Sequence, residues 1–213
     1  MDIAEILSQL VLALVSFVAN LTSALAGGGA GLVQLPALIL LGLPFSMALA
    51  THKLASVSLG LGAGLRHIKE GNLKTYFVIF ILGFGLPGVW IGAHLALAIP
   101  SDLATVVLGL GTLFLGIYSI KRPGLGKSTQ LVKMNLNRWL VGGLVLFVIG
   151  ILNGSFSSGT GLFVTLWLVR WFGLSYSQSV AYTLILVGFF WNGIGALVLG
   201  LSGEIKWGWL PML

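Results

Sequence analysis

Lys53 stands near the centre of an apolar stretch, Phe45 to Leu65, long enough to cross a membrane. About 20 residues earlier, Gly27-Gly28-Gly29-Ala30-Gly31 interrupts the preceding apolar run. A fixed cation and a glycine break, both at membrane depth, are what a pathway for something negatively charged requires. Glycine lacks a Cβ, so this string can leave helical geometry and turn several N–H groups inward, where hydrocarbon offers them no partner. An anion is such a partner. A short helix starting near Gly31 would add its positive dipole end at the same spot. A second string, Ser155-Phe156-Ser157-Ser158-Gly159-Thr160-Gly161, offers hydroxyls as well as amides. Two such helix starts meeting near mid-membrane would cradle an oxyanion.

Close helix packing is the competing explanation for membrane glycines. It is adopted for Gly60, Gly62, Gly64, Gly109 and Gly111, but not for the adjacent triplet Gly27 to Gly29, because packing calls for small residues about four apart. For Lys53, burial of an unpaired ammonium costs about 3 kcal/mol even on the lower scales. No acidic residue lies within its span, and snorkelling to an interface would require a helix that starts well after Pro44. Thr51 can offer a hydroxyl, and His52 can carry a coupled proton, although a lone membrane histidine is more often a packing hydrogen bonder. His94 reads as either interior or near the outer interface, and His67 as part of a loop.

The region of the second half that corresponds to Lys53 contains Tyr182, Thr183, Trp191 and Asn192, with no charge in place of the lysine. One cation among neutral donors suits a monoanion or a partly compensated dianion. Asn192 needs a hydrogen-bond partner, from a neighbouring helix or from substrate, and Arg170 reads as an anchor at the end of a half-helix. The candidate substrate-binding set is therefore Gly27, Gly28, Gly29, Gly31, Thr51, His52, Lys53, Ser157, Ser158, Gly159, Thr160, Gly161 and Asn192.

The elements that must hold these residues follow from composition. The chain is 57% hydrophobic and only 8% charged, and apolar runs recur along its whole length, the pattern of a multi-pass helical membrane protein. Segments are expected at about 3–26, 31–43, 44–65, 75–98, 101–120, 138–156, 161–174 and 175–200, with a last one starting near Trp207 and cut off at Leu213. Two of them, 31–43 and 161–174, are too short for a full crossing and read as half-helices. Trp139, Trp171, Trp207 and Trp209 fall where interfacial anchors belong. No strand alternation is sustained, which argues against a β-barrel. The net charge of +6 is not a nucleic-acid signal, because eight of the eleven Lys and Arg lie in Arg66–Lys74 and Lys121–Arg138. These read as cytoplasmic loops under the positive-inside bias. With no cysteine, thiol chemistry and disulfides are excluded. Asp2 and Glu5 replace the basic region of a signal peptide, so the first segment reads as a retained span.

The chain also repeats itself. Gly29-Ala30-Gly31-Leu32 aligns with Gly159-Thr160-Gly161-Leu162, Gly42-Leu43-Pro44-Phe45-Ser46 with Gly173-Leu174-Ser175-Tyr176-Ser177, and Asn72-Leu73-Lys74 with Glu204-Ile205-Lys206. The offset drifts only from 130 (Gly29 to Gly159) to 132 (Asn72 to Glu204). The expected organisation is a first membrane repeat, 1–120, a basic cytoplasmic loop, 121–137, and a second, truncated repeat, 138–213. If the short piece 31–43 crosses, the repeats are inverted and the N-terminus lies outside; if it is re-entrant, they are parallel and the N-terminus lies inside. The weak charge of Ser202–Lys206 against Arg66–Lys74 favours the inverted arrangement.

At this level of detail the residues resemble a known family. Leu25-Ala26-Gly27-Gly28-Gly29-Ala30-Gly31-Leu32-Val33-Gln34-Leu35-Pro36, then Leu41-Gly42-Leu43-Pro44 and Ala48-Leu49-Ala50-Thr51-His52-Lys53-Leu54-Ala55-Ser56, resemble the TauE/SafE family of sulfite and organosulfonate exporters. The turn Arg66-His67-Ile68-Lys69-Glu70-Gly71-Asn72-Leu73-Lys74 is similar to that family's basic loop. The resemblance implies a prokaryotic inner-membrane permease for small sulfur-containing or carboxylated anions. It also implies about two further apolar segments beyond Leu213, so the second half is expected to be incomplete.

Enzyme chemistry lacks its residues: there is no metal-binding His pair at helical spacing, no paired membrane carboxylates and no nucleophile elbow. Gly126-Lys127-Ser128 lacks the earlier glycine of a P-loop, which leaves facilitated diffusion or coupling to an ion gradient. No cofactor or metal is expected. The expected partners are a small anionic substrate, the lipid bilayer, a coupling proton or sodium ion and a second copy of the chain, but no nucleic acid. A membrane scaffold or sulfur-relay partner protein is the competing class.

Overall fold

A computed structural model describes residues 3–67, 73–121 and 135–213 of the chain. The two basic segments expected to face the cytoplasm fall largely on residues 68–72 and 122–134, outside the described residues. Every extended element among the described residues is helical. Helices α1 (Ile3–Ala26), α2 (Gly31–Leu40), α3 (Phe45–His67), α4 (Thr75–Ala98) and α5 (Ser101–Lys121) form the first part. The second consists of α6 (Leu136–Phe156), α7 (Thr160–Phe172), α8 (Tyr176–Tyr182), a π-helical segment (Thr183–Trp191), α9 (Asn192–Leu201) and a 3-10 turn (Trp207–Met212).

The boundaries have local causes. α1 stops where Gly27, Gly28 and Gly29 take φ of +73°, +124° and +103°, conformations costly for any residue with a Cβ. α2 ends at Leu40, earlier than the apolar pattern suggests, because Gly42 at φ +97° turns the chain into Pro44. α3 then begins directly after Pro44. α6 starts on an Asn135 cap that accepts from Arg138 N at 2.9 Å. It ends on Ser157, whose φ of +59° is rare for a residue other than glycine. Left-handed glycines, Gly159 and Gly173, bracket α7, and a Ser175/Gln178 capping box starts α8.

Among the described residues four helices, Leu7–Ala26, Thr75–Ala98, Leu136–Phe156 and Tyr176–Leu201, are long and apolar enough to cross a membrane. α3 is as long, at 23 residues, but Thr51, His52, Lys53 and Ser56 dilute its hydropathy; all four are buried. The last of the four spans contains the π-helical segment, which the sequence pattern does not reveal. The apolar stretch from Trp207, expected to begin another span, is instead a 3-10 turn laid against α1 and α3, with Asn20 Nδ2 donating to Leu213 O at 2.8 Å.

Glycine builds the central seam. A Cβ on Gly88 would collide with Phe147 O, on Gly92 with Ile151 O, on Gly150 with Gly85 O and on Gly154 with Val89 O, so α4 and α6 touch backbone to backbone. Gly85 also receives the fully buried indole of Trp191. Of the glycines assigned to packing, Gly60 abuts Phe189 and Gly188, but Gly62, Gly109 and Gly111 meet nothing within 4 Å. At one end of the seam Phe80 and Trp139 (4.6 Å between ring centroids) join Phe77 and Phe172 (5.0 Å). Beside them the Arg138 guanidinium lies 4.6 Å over Trp171. His94 is exposed, its Nδ1 2.8 Å from Trp90 O, and so is not an interior group.

Gly92→Leu or Gly150→Leu should destabilise the fold by about 3 kcal/mol or more, because backbone rather than a movable side chain blocks the new atoms. In detergent this should lower the melting midpoint by about 6 °C or more. Gly109→Ala should stay within about 1 °C of wild type.

Candidate functional site

The two helix breaks meet. A Cβ on Gly28 would lie 2.8 Å from Gly161 Cα, and one on Gly161 would lie 3.1 Å from Gly28 Cα, so the strands of backbone at the breaks are in direct contact. Gly31 completes the junction, where a Cβ would approach Ser158 Cα at 3.4 Å and His52 Nε2 at 2.8 Å. Next to this junction is a cavity of roughly 40 Å³, room for a few waters or a small oxyanion.

Breaking a helix frees carbonyls on one side and amides on the other. Several of the carbonyls here are answered. Ser23 O accepts from Gly28 N at 2.9 Å, Ala26 O from Tyr176 Oη at 2.8 Å and Gly27 O from Thr165 Oγ1 at 2.7 Å. Across the junction, Asn153 O accepts from Ser157 N at 3.0 Å and from Lys53 Nζ at 2.7 Å, and Ser157 O accepts from Thr160 Oγ1 at 2.8 Å. The amide side is left open. Neither α2 nor α7 has a side-chain cap, and the amides of Gly29, Ala30, Gly31, Gly161 and Leu162 find no acceptor among the described residues. Two helix N-termini thus bring unused donors and positive dipole ends to one cavity.

Eight of the candidate residues line this cavity: Gly28, Gly29, Gly31, His52, Ser157, Thr160, Gly161 and Asn192. Five do not. Gly27 lies just behind it, and Gly159 serves as the α7 cap. Ser158 Oγ is 3.3 Å from Thr112 Oγ1 of α5. Thr51 is committed elsewhere, donating to Met47 O at 2.7 Å and accepting from Lys206 N at 3.0 Å. Lys53, fully buried in a helix that starts at Phe45, does not snorkel; its Nζ turns to Asn153 and Asn192 behind the cavity wall.

Sequence reasoning missed Ser23, Ser56, Asn153 and Gly188, and it named Thr183 without placing it in the site; all five line the cavity. Asn153 had a readable signal, a side-chain amide in an apolar run one turn before the break, and Ser23 stands 130 residues earlier in the same relation to the first break. Ser56 follows His52 by one turn, with its Oγ 3.5 Å from His52 Nε2. The other ring nitrogen, Nδ1, faces Gln34 Oε1 at 2.5 Å; a proton there leaves Nε2 as an acceptor on the cavity side. Thr183 and Gly188 belong to the π-helical segment, whose i→i+5 winding is typical of functional sites and has no simple sequence signature.

Gly28→Ala should abolish any activity of the junction, because the Cβ meets Gly161 backbone at an unfavourable φ. Thr165→Val should cost about 1–3 kcal/mol by stranding Gly27 O, read as a lower melting midpoint.

A family profile described as sulfite exporter TauE/SafE matches residues 12–213. A probable membrane transporter protein of Haemophilus influenzae is 32% identical over 92% of this chain and 76% of its own length. The probable membrane transporter protein ORF9 of a Sinorhizobium species is 27% identical over 90% of this chain and 72% of its own. The probable membrane transporter protein YfcA of Escherichia coli K12 is 28% identical over 92% of this chain and 72% of its own. No solved structure matches the chain.

Proposed function

The chain belongs to the TauE/SafE family of multi-pass membrane transporters, and on that premise we propose that it is a secondary permease for a small sulfur-containing anion, sulfite or an organosulfonate, in a prokaryotic inner membrane. The observation that carries the reading is the pair of helix N-termini without side-chain caps that face one cavity with amides no described acceptor takes. Such a site offers an anion several backbone donors. The amides of Gly29, Gly31 and Gly161 and the Nδ2 of Asn192 bind the substrate in this proposal.

The element lengths support a duplicated architecture: 24, 10 and 23 residues for α1, α2 and α3, against 21 and 13 for α6 and α7 and 26 for the span Tyr176–Leu201. We read these as inverted repeats, with the substrate between their breaks and the basic loops in the cytoplasm. His52 is the one titratable side chain among the cavity-lining residues, which favours a proton as the coupling ion over sodium.

Reconstituted into liposomes, the protein should give saturable flux of labelled sulfite, sulfoacetate or taurine, and Gly28→Ala should reduce it to the empty-liposome level. Failure to move any of the three would sink the reading. An imposed proton gradient should drive accumulation by wild type, and His52→Gln should exchange substrate without accumulating it.

A further inference from the structure

Lys53 does not line the cavity, yet its surroundings bear on what the cavity presents. Its Nζ lies 2.7 Å from Asn153 O, 3.3 Å from Asn153 Oδ1 and 3.5 Å from Asn192 Oδ1. All three neighbours are acceptors, and an ammonium has three protons to give. Its charge is met by the last turn of α6, where the carbonyl dipoles present their negative end. α9 makes room for the stem: a Cβ on Gly195 would lie 2.7 Å from Lys53 Cδ and 2.9 Å from Cε.

An asparagine amide has an acceptor on one side and a donor on the other, and an unconstrained one can flip to present either. Facing both Oδ1 atoms toward one ammonium removes that freedom. Asn153 Nδ2 is then turned to Thr160 Oγ1 at 2.9 Å, with Asn192 Oδ1 at 3.4 Å. Asn192 Nδ2 has no acceptor among the described residues, and Asn192, Asn153 and Thr160 all line the cavity.

We propose that Lys53 is a positioning residue: by holding the Oδ1 atoms of Asn153 and Asn192 it leaves the Nδ2 of Asn192 as the free donor at the cavity, Asn153 Nδ2 being spent on Thr160 Oγ1 and Asn192 Oδ1, and so imposes a preference for anions without touching the anion. The proposal rests on the permease reading above and adds to it how the site tells one sign of charge from the other. Asn192→Asp separates this role from a merely structural one. The substitution keeps the volume, places a carboxylate against the ammonium and replaces the free donor with an acceptor.

For full-length protein in detergent, Asn192→Asp should melt at or above the wild-type temperature without ligand, while its affinity for sulfite or sulfoacetate falls at least tenfold in a thermal-shift titration. Asn192→Ala, which frees one proton of the ammonium, should also bind more weakly. Binding by Asn192→Asp within twofold of wild type would overturn the proposal, as would a lower unliganded melting temperature for that variant. Tighter binding by Asn192→Ala would identify the ammonium itself as the ligand and overturn it too. A wild type that neither binds nor transports any tested anion would instead sink the permease reading.

Discussion

A helix interrupted inside hydrocarbon releases carbonyls on one side of the gap and amides on the other, with no water at hand for either. The fold around both breaks is organised by that constraint. At each break, carbonyls are met in part from the opposite half of the chain: Tyr176 and Thr165 reach back to Ala26 and Gly27, and Lys53 reaches forward to Asn153. These bonds tie the halves together at the level where the backbone would otherwise be least stable. They also leave the chain with a surplus of one kind of polar group, the N–H.

That surplus gives the cavity its electrostatic character. Among the described residues no carboxylate lines it, and its polar side chains are hydroxyls, amides and one imidazole. Lys53 carries a full charge beside the wall, and among the described residues dipoles rather than an acid compensate it. A lysine–carboxylate pair in the same place would cancel the field that the proposed anion would meet.

The helical segments, the two breaks and the half-helices were legible because each depends on local sequence: apolar run length, adjacent glycines, and the Gly-Leu-Pro turn after α2. Of the candidates that line the cavity, Gly28, Gly29, Gly31, Ser157, Thr160 and Gly161 were legible for the same reason, since a break and the turn after it occupy consecutive positions. What stayed hidden depends on distant contacts. Lys53 was visible as an anomaly, but the direction of its side chain is decided by Asn153, Asn192 and Gly195, 100 or more residues away. The π winding of Thr183–Trp191 has no local cause in the sequence; Gly60 against Gly188 and Trp191 in the notch at Gly85 are the contacts around it. Glycines sort the same way, since Gly62 and Gly92 look alike in an apolar run and only the neighbouring helix shows which of them is needed.

The α4–α6 seam has a mechanical implication. Contacts of main chain on main chain contain no rotamers, so they cannot slide by repacking; they either hold or come apart. Because α4 precedes the basic linker and α6 follows it, the seam joins the two parts of the chain into one stator. Any motion that exposes the cavity first to one side and then to the other must pivot elsewhere, on elements that are free to move past this fixed pair.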